Sequence, residues 1–148
     1  MDQIIKDLIL TPLKQINHPK GDIYHGMKES DNGFYGFGEA YFSTIIKNEI
    51  KGWKKHTRMV LNLIVPVGEI EFVIYDDRVE SPTYNNFFSV MLSQKNYKRL
   101  TIPFGVWMAF KGIGEETNML LNIASIEHNP SEAFTKELDE IKYNWVKS

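Results

Sequence analysis

The chain has 148 residues, 43% hydrophobic, 13% aromatic and 24% charged, with no Cys; one ordinary domain of this size buries roughly 70% of its unfolded surface and needs no disulfide or structural metal. Without Cys, thiolate catalysis, zinc ribbons, iron–sulfur clusters and a disulfide-stapled secreted scaffold are excluded, and a cytoplasmic location is expected. Seventeen Lys and Arg against nineteen Asp and Glu give a net charge of −2, which offers no positive field for nucleic acid, and no run approaches about 18 apolar residues, so no membrane partner is expected either.

The elements follow in chain order. An N-terminal arm of about residues 1–20 opens too briefly and too acidically for a signal peptide; within it Ile4 to Leu10 reads as a short helix or strand, broken by Thr11-Pro12 and by the turn chemistry of Asn17-His18-Pro19-Lys20-Gly21-Asp22. From about residue 21 to 128 short runs alternate with turn signals: Asp31-Asn32-Gly33, Asn48, Gly68, Asp76-Asp77, Ser81-Pro82-Thr83, Pro103, Gly105 and Gly112 to Gly114. The runs between them, such as Glu39 to Ile46 and Glu69 to Tyr75, are rich in β-branched and aromatic residues. In the second, Ile70, Phe72 and Ile74 share one face, and Glu69, Glu71, Val73 and Tyr75 the other. Asn118 to Ala124 is apolar enough to be buried on both sides. Short strands at this spacing predict an all-β sandwich or barrel in a single domain. Beyond Pro130, Ser131 to Ile141 has the look of a capped, amphipathic helix and predicts a helical tail over 130–148.

Two other segments are read as structure. Gly33 to Gly38 is glycine-rich but lacks the Lys-Ser/Thr and the strand-to-helix setting of a phosphate loop, so it is taken as a hairpin or a close backbone approach. Asp76, Asp77 and Arg78 make ion pairs at a strand end.

Chemistry concentrates in Ile50-Lys51-Gly52-Trp53-Lys54-Lys55-His56-Thr57-Arg58. As a strand, it puts Lys54, His56 and Arg58 on one face and Trp53, Lys55 and Thr57 on the other. On an outer face the basic row is a solvated edge that discourages aggregation. On the inner face of a small barrel it is an anion-binding and proton-transfer site, in which Lys54 and His56 form an acid/base pair and Arg58 is a fixed charge for a phosphate or enolate. Tyr24, Tyr41 and Tyr75 are the nearest candidates for a partner acid. Of the four histidines only His56 falls in a strand; His18, His25 and His128 fall in loops, so neither a metal site nor a cofactor is expected.

Lys51-Gly52-Trp53 opening a strand, Gly68-Glu69 at a hairpin, Asp76-Asp77-Arg78 followed by Ser81-Pro82-Thr83, and Ile102-Pro103-Phe104-Gly105-Val106-Trp107 together resemble the dTDP-4-dehydrorhamnose 3,5-epimerase family of the cupin superfamily, over about Lys20 to Pro130. The resemblance implies a jelly-roll β-barrel with short peripheral helices. It implies an isomerase, independent of any cofactor, that removes a proton beside the keto group of a nucleotide-linked 4-keto-6-deoxy sugar in surface-polysaccharide biosynthesis. It also implies a homodimer whose N-terminal strands cross to the partner, which would give Ile4 to Leu10 something to pack on. Lys54 and His56 are then the catalytic candidates, and Lys51, Arg58 and Arg78 the substrate-binding ones.

The match departs from the family at the chemical positions. Lys54 stands where the family has its catalytic histidine, and His56 lies two residues on. The family's substrate lysine falls on Leu61, its second active-site histidine on Met108 and its tyrosine acid on Leu121. The carboxylate that orients the family's base comes from a C-terminal extension, for which this sequence offers no evident counterpart. The rival readings are a catalytically inactive cupin that binds a sugar or sugar nucleotide, and an assembly protein without a ligand.

Overall fold

Twelve strands can be traced in a computed structural model that describes residues 4–145, so the outermost parts of the arm and the tail, 1–3 and 146–148, lie outside the described residues. They are β1 (Ile9–Pro12), β2 (Gln15–Ile16), β3 (Ile23–Tyr24), β4 (Glu39–Thr44), β5 (Ile50–His56), β6 (Leu61–Val67), β7 (Glu69–Tyr75), β8 (Phe87–Ser93), β9 (Lys98–Ile102), β10 (Trp107–Gly112), β11 (Met119–Ala124) and β12 (Ala133–Thr135). One five-stranded sheet has the order β1-β9-β6-β11-β4 and the other β12-β5-β10-β7-β8, while β2 and β3 form a separate hairpin. All the ladders are antiparallel. This is the all-β jelly roll expected from the sequence.

The core lies between the two sheets because each contributes one apolar face. From β7 come Ile70, Phe72 and Ile74, all fully buried, against Leu61, Leu63 and Val65 of β6, Leu100 and Ile102 of β9 and Leu120 of β11. The alternation read in β7 is the alternation the fold uses. Its other face is also buried, because Val73 joins Trp53, Trp107, Ala109 and Ile141 in a second cluster on the outside of the sheet, closed over by Tyr143 and Trp145. Trp53 lies 6.1 Å from Trp145, so the C-terminal segment covers this sheet like a strap. On the outside of the other sheet, Arg99 is wholly buried under the chain around Gly26 to Asn32, its guanidinium donating to Gly26 O (2.8 Å), Asn32 O (3.3 Å) and the Asp31 carboxylate (3.2 Å). Gly38 is a close approach, since a Cβ there would stand 2.0 Å from the carbonyl carbon of Ile126.

Three expectations change. The tail is not a helix: it holds single 3₁₀ turns at Pro130–Glu132 and Leu138–Glu140 around β12. The free edge of β5 takes up Ala133 to Thr135 as a strand, through Ala133 opposite His56 and Thr135 opposite Lys54, and these edge hydrogen bonds outweigh the helical periodicity. β11 is not buried on both sides; its burial alternates, with Leu120, Asn122 and Ala124 inward and buried. The arm packs on its own barrel, with Ile5 and Leu8 in the core and β1 paired to β9. Those side chains need no partner subunit, whereas Ile16 and Ile23 on the β2–β3 hairpin are left exposed. No helix among the described residues is long and apolar enough to cross a membrane.

Candidate active site

A cavity of about 220 Å³ opens between the sheets. Tyr41 and Ser43 of β4, Asn122 of β11, and Lys51, Lys54 and His56 of β5 supply its polar groups, and Leu61, Leu63, Met108, Phe110 and Leu120 its apolar wall.

Strand β5 can present three basic side chains here because its alternation is broken once. Lys54 pairs with Met108 and Lys51 with Phe110, so Gly52 and Trp53 together oppose Ala109 in a bulge. A Cβ on Gly52 would stand 2.2 Å from Ala109 Cβ, and the residue's φ is +155°; only glycine fits. The bulge turns Trp53 outward into the second cluster and brings Lys51 round to the face of Lys54 and His56, where strict alternation would not place it. Lys51 Nζ donates to Thr44 O (2.7 Å) and to Ser43 Oγ (3.5 Å) across the gap between the sheets. No acidic side chain among the described residues pairs with Lys54.

His56 is held by Glu132. Its Nδ1 hydrogen-bonds Glu132 Oε1, and the two side chains are 11% and 3% exposed. Glu132 Oε2 accepts the backbone N–H groups of Thr57 (3.1 Å), Arg58 (3.0 Å) and Met59 (3.2 Å), while Thr57 Oγ1 donates to Glu132 O (2.7 Å). Burial by itself would raise the Glu132 pKa, but the hydrogen bond from His56 and the N–H groups of Arg58 and Met59 outweigh it and hold the carboxyl below the usual range. An ionised Glu132 fixes the proton of His56 on Nδ1 and leaves Nε2 as the basic nitrogen. Across the cavity, Tyr41 Oη accepts a hydrogen bond from Asn122 Nδ2 at 3.0 Å.

Of the five residues singled out in the sequence, the fold brings Lys51, Lys54 and His56 together and leaves two apart. Arg58 lies past the end of β5, where the chain turns and alternation no longer applies; it is exposed and is not among the cavity's lining residues. Arg78 lines a different cavity, of about 490 Å³, with Asp7, Tyr35 and Phe104. Its guanidinium is held by Asp76 (2.8 and 3.1 Å) and by Lys6 O (2.8 Å). Asp77 accepts from Lys55 Nζ (2.9 Å) and Trp107 Nε1 (2.9 Å), so both aspartates make the structural pairs expected. Among the tyrosines, Tyr41 lines the cavity, Tyr24 is on the exposed hairpin, and Tyr75 stacks on Phe87 with its hydroxyl on Asn85. Glu132 and Asn122 were missed. The available signals were an acid set by the Asn129-Pro130 turn beside a strand-like Ala133-Phe134-Thr135, and a lone amide in the apolar run of β11. Among the described residues no three of His, Asp and Glu gather into a group suited to a metal.

Fold and cavity define a jelly roll with a carboxylate-backed histidine facing a tyrosine across the space between its sheets. The sequence profile of the dTDP-4-dehydrorhamnose 3,5-epimerase family matches residues 36–148, and the chain belongs to that family. A crystal structure of a dTDP sugar isomerase from Desulfovibrio desulfuricans superposes with a TM-score of 0.88 at 34% identity, over 91% of this chain and 87% of that one. The probable low-salt glycan biosynthesis epimerase Agl13 of Haloferax volcanii is 31% identical over 84 residues, 56% of this chain and 54% of its own, so the match spans about half of that relative. The spore coat polysaccharide biosynthesis protein SpsL of Bacillus subtilis is 24% identical over 80% of this chain and 82% of its own.

Proposed function

We propose that the chain is a cytoplasmic, cofactor-independent epimerase of a nucleotide-linked 4-keto-6-deoxy sugar, serving the synthesis of a surface polysaccharide. The observation that carries this reading is the His56–Glu132 pair on one sheet facing Tyr41 on the other. His56 Nε2 takes the proton from the carbon beside the keto group; that C–H pair becomes the C=C of an enolate whose negative oxygen is held by the ammonium of Lys54, with Lys51 beside it. Tyr41 O–H then returns a proton to the carbon while the carbonyl re-forms. Base and acid on facing sheets address opposite faces of a ring between them, which inverts the carbon rather than moving the keto group along one face.

Membership of the family and the names of the two curated relatives support sugar epimerisation in glycan synthesis, and the Desulfovibrio structure supports a dTDP sugar as ligand. The homodimer implied by the sequence belongs to the same reading, and exposed Phe42 and Ile46, on and just past edge strand β4, are apolar groups it would cover.

The test is incubation in deuterated water with dTDP-, CDP- and GDP-linked 4-keto-6-deoxy sugars, with solvent deuterium followed by mass spectrometry. The reading requires uptake by the wild type with at least one sugar, abolished in His56→Ala and strongly reduced in Lys54→Met. Binding without exchange would replace it with a sugar-nucleotide binding module, a reading favoured by Leu61 and Met108, apolar cavity residues at two of the family's chemical positions.

A further inference from the structure

Three buried asparagines of the β6–β11 region can be compared directly. Asn62 Nδ2 donates to Gly33 O and its Oδ1 accepts from Thr101 Oγ1. Asn118 Oδ1 accepts the N–H groups of Glu69 and Gly114, and its Nδ2 donates to Ile45 O and Gly114 O. Both amides are used at each end by the protein itself, as buried amides are. Asn122, 2% exposed, is used at one end only: Nδ2 donates to Tyr41 Oη, its direct partner across the β11–β4 ladder, while Oδ1 meets no donor among the described residues. Oδ1 has essentially no accessible surface, and Asn122 stands opposite Leu63 across the β11–β6 ladder, a buried setting in which an unpaired carbonyl is unfavourable to the folded state. The fold has no need of it, since the backbone of β11 is already paired to β4 and β6.

We infer that Asn122 is a positioning residue of this site: Nδ2 makes Tyr41 Oη an acceptor, so the single phenol proton is free to face the bound sugar. The identity of the ligand rests on the epimerase reading; the functional, rather than structural, role of the amide does not. A protein amide donating to Tyr41 keeps the phenol from spending its proton on the protein.

The test compares the wild type with Asn122→Leu, apolar and alike in branching and side-chain heavy-atom count, using dTDP-4-keto-6-deoxyglucose. Expected are a Tm unchanged or raised in the variant, a kcat/KM at least about tenfold lower, and a larger loss of inversion than of deuterium uptake, because the His56 side still works. A Tm several degrees lower, with turnover per folded molecule and the ratio of inversion to uptake both kept, overturns the inference and makes Asn122 a structural residue. A wild type inactive on every sugar would refute the epimerase reading instead. The stability arm then decides Asn122 by itself: a lower Tm overturns the inference, and an unchanged or raised one supports an amide kept for Tyr41 rather than for the fold.

Discussion

Replacing Glu132 by Gln separates orientation of the base from stability of the fold. The carboxylate now serves both sides, with Oε1 on His56 Nδ1 and Oε2 on three backbone N–H groups at 3.0–3.2 Å. A glutamine has one acceptor oxygen, and the three N–H groups of the Thr57–Met59 turn claim it, because turning the amide the other way would set its N–H₂ against three donors. Its amide nitrogen must then face His56 and donate to Nδ1, which moves the imidazole proton to Nε2 and removes the base. The wrong tautomer costs up to about 10⁴-fold in a serine protease whose orienting aspartate is made asparagine; with the rest of the site intact, a loss of roughly 10²- to 10⁴-fold in deuterium uptake is expected here. Weakening the charge-assisted bonds costs about 1.5–3 kcal/mol, a fall in Tm of roughly 3–12 °C at about 2–4 °C per kcal/mol. Exchange by mass spectrometry and melting by circular dichroism read the two effects in one preparation. Uptake within threefold of the wild type in a folded Glu132→Gln protein would refute the dyad and return the role of base to Lys54.

Two further outcomes follow from the geometry. Gly52→Ala drives a Cβ to 2.2 Å from Ala109 Cβ at a φ of +155° and should cost about 2 kcal/mol or more; because the bulge also sets where Lys51 and Lys54 stand, Tm and exchange should fall together, and an unchanged Tm would contradict the role given to the bulge. Asp76 is fully buried and accepts from Arg78, Ser81 and Thr83; burial raises its pKa, but the bonds from those three residues win and hold it far below the usual range. A depressed folded pKa adds stability that is present above the unfolded value, about 3.9 for Asp, and lost as pH falls toward the folded one. With Glu132 lowered as well, Tm should hold from pH 7 to about 5 and drop below about 4. Asp76→Asn should melt lower at pH 7, by about 3 kcal/mol in stability, and show a shallower acid limb; an acid limb as steep as the wild type's would place its origin elsewhere.

The fold was legible because its signals are local. Period-2 alternation in β7 sorted Ile70, Phe72 and Ile74 from Val73 and Tyr75, and Gly and Asp-Asn turn chemistry spaced the strands. The site was legible only as far as alternation holds. It placed Lys54 and His56 on one face, but it carried the row on to Arg58, where the strand has ended, and it gave no place on that face to Lys51, a candidate only through the family resemblance, which the bulge at Gly52 brings in. The tail misled for a related reason: Ala133 to Thr135 is governed by the open edge of β5, an edge that exists only once the sheet has formed. Glu132 and Asn122 depend on contacts 76 and 81 residues away in the chain, and no local pattern carries that information.

The departures from the family's chemical positions take on a different meaning once the neighbours are considered. Leu61 and Met108 replace two of the family's polar groups with cavity wall, and Leu121, where the resemblance puts the acid, lies between the inward-facing Leu120 and Asn122 on β11. The base, the carboxylate that orients it and the acid nevertheless each have a candidate close at hand in space. Lys54 is followed two residues on by His56, still on the same face; Glu132 reaches that histidine from the segment leading into β12; and Tyr41 lies on β4, directly across the ladder from Asn122. A barrel that had simply lost its chemistry would have no structural reason to keep an amide half unpaired beside a phenol, because a buried carbonyl without a donor lowers stability; the Glu132 carboxylate, by contrast, stabilises the turn it caps and in the same position orients His56. Their joint presence around one cavity argues for a relocated proton-transfer pair rather than an abandoned one, and the Glu132→Gln and Asn122→Leu variants test the two sides of that pair independently.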